Sequence, residues 1–234
     1  QGSIRKAVMR APLSIIIPTL NAEAGLPDVL ASLMEGVQAG LIREVVVSDG
    51  GSTDGTLRLA EAAGAQIVTG PPGRGGQLRR GVAGSGGAWL LVLHADTHLG
   101  AGWSGIVHDA MVEGMSGYGH LRFRAEGFAP AAVAAWANWR SRVLGLPYGD
   151  QGLLVSRALY DSVGGYPNIS LMEDVALARA LKGHLFALAF TAHTGAERYQ
   201  RGGWTLHGSR NLLMLLRYLS GADPEKLAKA YRRR

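Results

Sequence analysis

No cysteine occurs in the 234 residues, which excludes disulfides and thiolate metal sites and leaves a reducing compartment open. No apolar run approaches the roughly 18 residues of a membrane-spanning helix, so an integral membrane protein is not expected. The pattern G-x-G-x-x-G is missing after the first apolar stretch, where "PTLNAEAG" stands instead, and no G-x-x-x-x-G-K-[ST] occurs. A dinucleotide site of the common kind and a P-loop are thereby set aside, because both bring glycine backbone close to phosphate at a helix N-terminus. Internal repeats, low-complexity linkers and forced composition breaks are also lacking. One domain with appendages is the default at this length.

Apolar residues at 47% and charged residues at 18% are ordinary globular material, so the chain has enough apolar surface to build a sizeable core. The net charge of +6 and the pI near 9.9 point to an anionic partner: a nucleotide, a phosphate or anionic lipid. Part of the surplus is local, since "PEKLAKAYRRR" at the end carries five basic residues and one acid.

The first hundred residues alternate. "LSIIIPTLNA" opens with a β-branched run, Leu13 to Ile17, that Pro18 is expected to stop. Leu26, Val29, Leu30, Leu33 and Val37 recur at helical spacing before Gly40. A second strand, Glu44 to Val47, precedes candidate N-caps Ser52, Thr53 and Asp54 of a second helix ending near Gly64. "QIVTG" reads as a third strand, "GQLRRGVAGS" as a short helix and "AWLLVLHAD" as a fourth strand. Such alternation predicts an α/β protein with a parallel sheet wrapped by helices.

Beyond Gly100 the pattern loosens. "WSGIVHDAMVEG" predicts a helix, "GYGHLRFRAEG" a strand, and "APAAVAAWANWRSRVLG" an amphipathic segment with two tryptophans. "GLLVSRALYDSVGGYP" gives strand, helix and glycine turn, and "LMEDVALARALKGH" a helix with its acids at the beginning.

In open α/β sheets, ligands bind outside the carboxyl ends of the strands. Three polar clusters fall there: Pro18-Thr19-Leu20-Asn21, Ser48-Asp49-Gly50-Gly51 and His94-Ala95-Asp96. Any one alone is explained by turn chemistry. Three on one rim point to a ligand.

The segments "SIIIPTLNAE", "EVVVSDGGSTDGT" and "LLVLHADT" resemble, in order and rough spacing, those of the family 2 glycosyltransferases. "PYGDQGLLVSRALYDSVGGYPNISLMEDVALARAL" resembles the second half of that family, in a bacterial subgroup with the Gly-Asp-Gln segment. The resemblance runs from about Leu13 to Tyr231. It implies a GT-A (Rossmann-like) fold, with a mostly parallel central sheet flanked by helices and a C-terminal helical appendage. The expected division is a domain over 13–205 and a basic helical extension over 206–234.

It also implies an inverting transfer of a sugar from a nucleoside-diphosphate donor, UDP-linked by default, to an unknown hydroxyl acceptor. Pro18, Thr19, Asn21 and Glu23 resemble the shelf for base and ribose. Asp49, beside Gly50, resembles the carboxylate that reads a base N–H, which suits an acceptor-only group. Arg74, Gln77 and Arg80 resemble a basic stretch beside the donor, although a solvated basic face explains Arg80 as well. His94, Ala95 and Asp96 stand at the family's Asp-x-Asp. Asp96 matches the last acid, which would help bind Mn²⁺ or Mg²⁺ across the diphosphate, and His94 replaces the first. One carboxylate is enough for an ion that keeps its waters, so the metal is expected to arrive with the donor. An imidazole ligand at His94 would favour Mn²⁺. A zinc cluster of His94, Asp96 and His98 on one strand face is the competing reading.

Asp174 resembles the general base, with Glu173 its runner-up or an orienting neighbour; a bland reading has both acids simply complementing a helix N-terminus. Asp150, Gln151 and Trp204 are expected on the acceptor side, with Arg198 and Arg201 offering charge near the diphosphate. Gly164-Gly165 would let backbone approach the donor sugar. Leu212, Leu213, Leu215, Leu216 and Leu219, beside the basic tail and with Trp136 and Trp139, form either a face packed on protein or one that meets anionic lipid. The lipid reading would make the acceptor a lipid or lipid-linked. A cytoplasmic location, at most at the inner membrane face, follows, and no nucleic-acid partner. A catalytically silent nucleotide-sugar binding module on the same fold is the alternative, because His94 stands where an acid is usual.

Overall fold

The run Leu13, Ile15, Ile16 and Ile17 is wholly buried because its strand lies inside the sheet with both faces covered, so apolar residues are needed on alternate sides. A computed structural model describes residues 11–232 of the chain. In order these form β1 (Leu13–Thr19), α1 (Leu26–Gln38), β2 (Ile42–Asp49), α2 (Thr56–Ala62), β3 (Gln66–Thr69), α3 (Arg74–Ala83) and β4 (Trp89–Val92). The second half adds β5 (Thr97–Leu99), α4 (Trp103–Val112), β6 (Ser116–Phe123), α5 (Phe128–Leu144), a 3₁₀ turn (Gly149–Gln151), β7 (Leu153–Ser156) and α6 (Arg157–Ser162). Last come α7 (Glu173–Ala180), β8 (Leu185–Thr194), α8 (Glu197–Gly202), α9 (Trp204–Leu219) and α10 (Pro224–Arg232).

The strands build one sheet in the order β3-β2-β1-β4-β7-β6-β8-β5. The block β3-β2-β1-β4 is parallel, β7 runs against both β4 and β6, β8 runs with β6, and β5 closes the edge antiparallel to β8. The sheet is thus mostly parallel, as the alternation of elements predicts. One apolar cluster joins Ile15 and Ile17 to α1 and α4, and another joins Ile16 and Val46 to α3 and Tyr166.

One expectation needs correction, and two strands were not foreseen. Pro18 does not stop β1 but lies inside it, opposite Ser48. Pairing with β4 ends at Ile16–Val92, so no partner strand awaits the donor that proline lacks. The short β5 and the long β8 escaped the sequence pattern. Burial alternates from Leu188 to Thr194, but apolar residues such as Phe186, Ala187 and Ala189 stand on exposed positions too, so the sequence does not show the alternation, and β5 has only three residues. Gly164 and Gly165 end α6: both have positive φ, and their N–H groups bond to the carbonyls of Asp161 and Tyr160.

The expected boundary at 205/206 falls inside the first turn of α9. Met214 and Leu215 of α9 and Leu227 of α10 pack on Leu146, Met172, Val175 and Ala178, so the C-terminal helices rest directly on α7. Arg233 and Arg234 of the basic tail lie outside the described residues.

Candidate active site

The ends of β1 and β2 feed two loops that are stitched together. Asp49, fully buried, accepts from the Thr19 hydroxyl (2.9 Å), the N–H of Gly51 (2.7 Å), the N–H of Ser52 (2.7 Å) and the Ser52 hydroxyl (2.5 Å). Burial works to raise its pKa, but these hydrogen bonds outweigh it and hold the carboxyl below its usual range. All of the roughly four acceptor positions of the carboxylate are then engaged. Asp49 orders the loop that a base would meet, and a base N–H would have to displace one of these donors. Asn21, at φ 51°, accepts from the Thr53 N–H at 2.8 Å, and Glu23 accepts from the Gly55 N–H at 2.9 Å. Both side chains stand on the exposed rim.

Behind that rim, Gln77 of α3 donates to the carbonyls of Thr19 (2.7 Å) and Ser48 (3.0 Å) and accepts from the Gly73 N–H (3.2 Å). It is buried and clamps two strand ends to the start of a helix; both amide hydrogens are used by these carbonyls, so none is left to donate to a ligand. Gly50 passes so close to this amide that a Cβ would lie 3.0 Å from it. Arg80 bonds the Pro71 carbonyl at 2.8 Å, towards the β3 edge. Arg74, at the first position of α3, pairs instead with Glu173 at 3.4 Å. That meeting is fixed by Gly75, whose missing Cβ would come within 2.3 Å of the Pro167 carbonyl oxygen.

After β4 the chain turns over residues 94–97, closed by the Thr97 N–H to the His94 carbonyl at 3.1 Å. His94 and Asp96 lie in this turn and His98 in β5, so the three do not share a strand face. His98 stacks instead on His193, with ring centroids 5.0 Å apart. Burial first, then Arg74 and Arg198, keeps the His94 pKa well below its ordinary value, so the ring is neutral.

Gly149 joins this turn to α7. A Cβ there would lie 2.4 Å from His94 Nε2, and the Gly149 N–H donates to Asp174 Oδ2 at 3.0 Å. The other Asp174 oxygen accepts the Val175 N–H at 2.8 Å. Glu173 is fully buried, and neither of its oxygens has a hydrogen-bond partner. Burial pushes its pKa up to about 7, Arg74 opposes this and Asp174 adds to it. Asp150 is pushed up to about 6 by burial, lowered by Arg140, and raised further by the charges of Asp174 and Asp96. Asp96, Asp150 and Asp174 therefore share one electrostatic neighbourhood with Arg74.

Two residues expected on the acceptor side do other work. Gln151, fully buried, accepts from Ser141 at 2.5 Å and donates to the Gly119 carbonyl at 3.2 Å, tying the turn to β6 and α5. Trp204 stacks on Tyr199 at 4.9 Å and meets the Phe123 ring edge-on at 5.0 Å. Sequence reasoning missed Arg140 and Gly149; the "YGD" order does flag a residue that must be small, but the histidine it accommodates lies 55 positions earlier.

The profile described as glycosyl transferase family 2 matches residues 14–129. This chain belongs to the family 2 glycosyltransferases. A glucosyl-3-phosphoglycerate synthase of Mycobacterium tuberculosis is 33% identical over 104 residues, which cover 41% of this chain and 32% of that protein. An uncharacterized glycosyltransferase of Mycobacterium bovis is 36% identical over 91 residues, 38% of this chain and 39% of that one. The match thus spans about a third to two-fifths of the length of these curated relatives.

Among solved structures, the M. tuberculosis synthase in complex with Mn²⁺, UDP and phosphoglyceric acid superposes with a TM-score of 0.61 at 22% identity, covering 91% of this chain and 80% of that one. S. aureus TarS gives a TM-score of 0.60 at 16% identity, covering 92% and 41%. The fold of this family 2 member is therefore the GT-A fold. Among the described residues, no three His, Cys, Asp or Glu side chains come together to hold a metal ion. The donor set fits an ion that brings its own ligands: the Asp96 carboxylate with a neutral His94 nearby suits Mn²⁺ or Mg²⁺ carried by a diphosphate, and not a resident ion.

Proposed function

We propose that this chain transfers a sugar from a nucleoside-diphosphate donor, UDP-linked, to a hydroxyl acceptor with inversion, and that Asp174 is the general base. The observation that carries the reading is that Asp96, after β4, and Asp174, opening α7, both lie close enough to Asp150 to raise its pKa. One rim then offers a cation-binding carboxylate, a proton acceptor and the guanidinium of Arg74. The M. tuberculosis synthase, with UDP and Mn²⁺ or Mg²⁺, is support from a relative.

The loops bearing Asn21, Glu23 and Asp49 form the nucleoside shelf. Asp96 would hold Mn²⁺ or Mg²⁺, which when bound offsets charge on the departing diphosphate. Arg74, kept in place by Glu173, adds a fixed positive charge on the same side. The acceptor oxygen attacks the anomeric carbon as the bond from that carbon to the diphosphate oxygen breaks, and its proton passes to Asp174. The Gly149 N–H fixes the orientation of that carboxylate.

Thermal shifts with UDP, with and without Mn²⁺, test the donor side. A ligand at one hundred times its Kd adds about 2.7 kcal/mol. The shift is expected only when both are present, and is lost in Asp96→Ala. Nucleotide stabilisation that ignores both the cation and Asp96 overturns the reading. Asp174→Asn should then remove turnover while that shift persists; loss of neither removes Asp174 as base.

A peripheral membrane contact is a second element of this reading. No helix among the described residues is long and apolar enough to cross a membrane. α5 and α9 nonetheless expose Trp136, stacked on Trp139 at 5.1 Å, together with Leu206, Leu213 and Leu216. Sedimentation with phosphatidylglycerol vesicles, weakened by deleting residues 226–234, is the expected result; a chain left wholly in the supernatant refutes it.

A further inference from the structure

Between α5, α9 and β6 lies a cavity of about 50 Å³ whose lining includes Asp150. It is larger than the roughly 10–15 Å³ that one water needs by the same kind of measure. Its walls are mostly apolar: Leu121, Val133, Trp136, Leu212 and Leu215. Trp136 and Leu212 are also partly exposed, so the lining continues outward to the surface of the two helices.

Two polar groups in the lining lack partners. Asp150 Oδ1 is out of contact with solvent and accepts no hydrogen bond. Arg140, 4% exposed, lies over the Tyr148 ring at 3.4 Å and bonds the Leu146 carbonyl through Nε, yet its Nη2 is buried and bonded to nothing. No direct ion pair joins Arg140 to Asp150 among the described contacts, although the Arg140 charge works to lower the Asp150 pKa. An unfilled acceptor and an unfilled donor in one apolar cavity are costly unless something supplies both halves. A hydroxyl does, donating to the carboxylate and accepting from the guanidinium. Water would meet the polar need but leave the apolar walls without contact.

We propose that this cavity is the acceptor subsite, and that it takes an alcohol with an apolar body whose hydroxyl lies between Asp150 Oδ1 and Arg140 Nη2. The inference rests on the transferase reading above and adds the chemical class of the acceptor. Asp150 connects the cavity to the donor rim, because its neighbour Gly149 donates to Asp174 at 3.0 Å and lies against the His94 ring. Asp150 holds that hydroxyl before reaction, and the proton turns from Asp150 to Asp174, which the N–H of the neighbouring Gly149 anchors at 3.0 Å, as the oxygen attacks.

Gly208 of α9 provides a variant that fills the cavity without breaking the fold. A Cβ there has Val133 Cγ2 as its nearest neighbour, at 4.0 Å, and replacing a helical glycine favours the helix. The probe is 6-bromo-1-hexanol, whose bromine quenches tryptophan fluorescence when it sits beside Trp136. Saturable quenching is expected in the wild type, weakened about tenfold in affinity in Gly208→Leu and about fivefold in Asp150→Asn. The thermal shift by UDP with Mn²⁺ should be unchanged in Gly208→Leu.

Quenching that does not saturate, or that is equal in Gly208→Leu and wild type, overturns the proposal. So does quenching by phosphatidylglycerol vesicles with brominated acyl chains when the free alcohol is inert, which would make the face a bilayer contact alone. A second copy of the chain covering the face would show as a dimer by sedimentation that bromohexanol leaves intact, and that also overturns it. Absence of the nucleotide shift in the wild type would strike the donor reading and leave the cavity result standing.

Discussion

The N–H of Gly149 donates to Asp174 Oδ2 at 3.0 Å, and the same glycine lies against the His94 ring. A single residue without a side chain thus holds the acid at the start of α7 in register with the turn after β4. The two halves of the site come from segments about eighty residues apart, and Gly149 is where they touch.

Gly149→Ala should therefore damage the site more than its size suggests. The added Cβ would lie 2.4 Å from His94 Nε2, so the ring or the turn must move. Overpacking of this kind costs about 1–3 kcal/mol. Both the urea midpoint and turnover should fall, turnover by about tenfold or more if Asp174 loses its tether. A variant as active and stable as the wild type would show that the contact between turn and base is incidental.

Glu173 sets a pH dependence. Its folded pKa is raised by burial to about 7, above the ordinary value of 4.5 that applies in the unfolded chain. The folded state then binds more protons than the unfolded state between those values. Stability from this group is complete below about 4.5 and is lost as pH rises through about 7. Asp150, raised to about 6, slopes the same way, so Glu173→Gln should flatten the decline without abolishing it. Urea titrations at pH 5 and pH 8 should show the variant gaining of order 2 kcal/mol on the wild type over that interval. Parallel curves would mean that Arg74 fully compensates the buried charge.

Much of this fold is readable because its first half obeys simple periodicities. β1 is buried on both faces and reads as an unbroken apolar run, while α1 shows its stripe at Leu26, Val29 and Leu33. The polar residues that follow β1, β2 and β4 could be placed on one rim by topology alone. What escaped depended on contacts across the chain. Gln77 and Gln151 look like surface amides in sequence, yet each is buried because neighbouring backbone leaves carbonyls that need donors. β8 carries Leu185, Phe186, Leu188 and Phe190 without clean alternation, since it lies between β6 and the short edge strand β5. Arg140 gives no local sign of burial within its amphipathic helix.

Gln77 offers a direct measure of such hidden structural work. In Gln77→Leu the volume is nearly kept, but the Ser48 carbonyl loses its amide donor and the Gly73 N–H loses its acceptor. The Thr19 carbonyl keeps the Gly50 N–H at 2.9 Å. Leaving buried groups without partners costs about 1–3 kcal/mol. The thermal midpoint should drop by that equivalent, with UDP affinity falling only as far as the loop loosens. A large loss of affinity at unchanged stability would return Gln77 to the donor-contacting role.

Asp49 carries the opposite pH sign to Glu173. Its hydrogen bonds from Ser52, Gly51 and Thr19 hold the folded pKa below the usual 3.8, despite burial. The group therefore contributes stability that is full above its unfolded value and is lost as pH falls through the folded one. Asn at this position keeps one acceptor oxygen but turns an amide NH₂ towards donors, so at least one N–H or hydroxyl now faces another donor. Bonds to a charged acceptor are worth about 1.5–3 kcal/mol each, and not additively, so Asp49→Asn should cost at least about 2 kcal/mol at pH 7. Below pH 4 the gap to the wild type should narrow as the wild-type carboxylate takes up its proton. A gap that stays constant from pH 7 to pH 3 would place the cost in packing and not in charge. A variant of unchanged stability that no longer binds UDP would instead make Asp49 a reader of the base, its loop bonds readily exchanged.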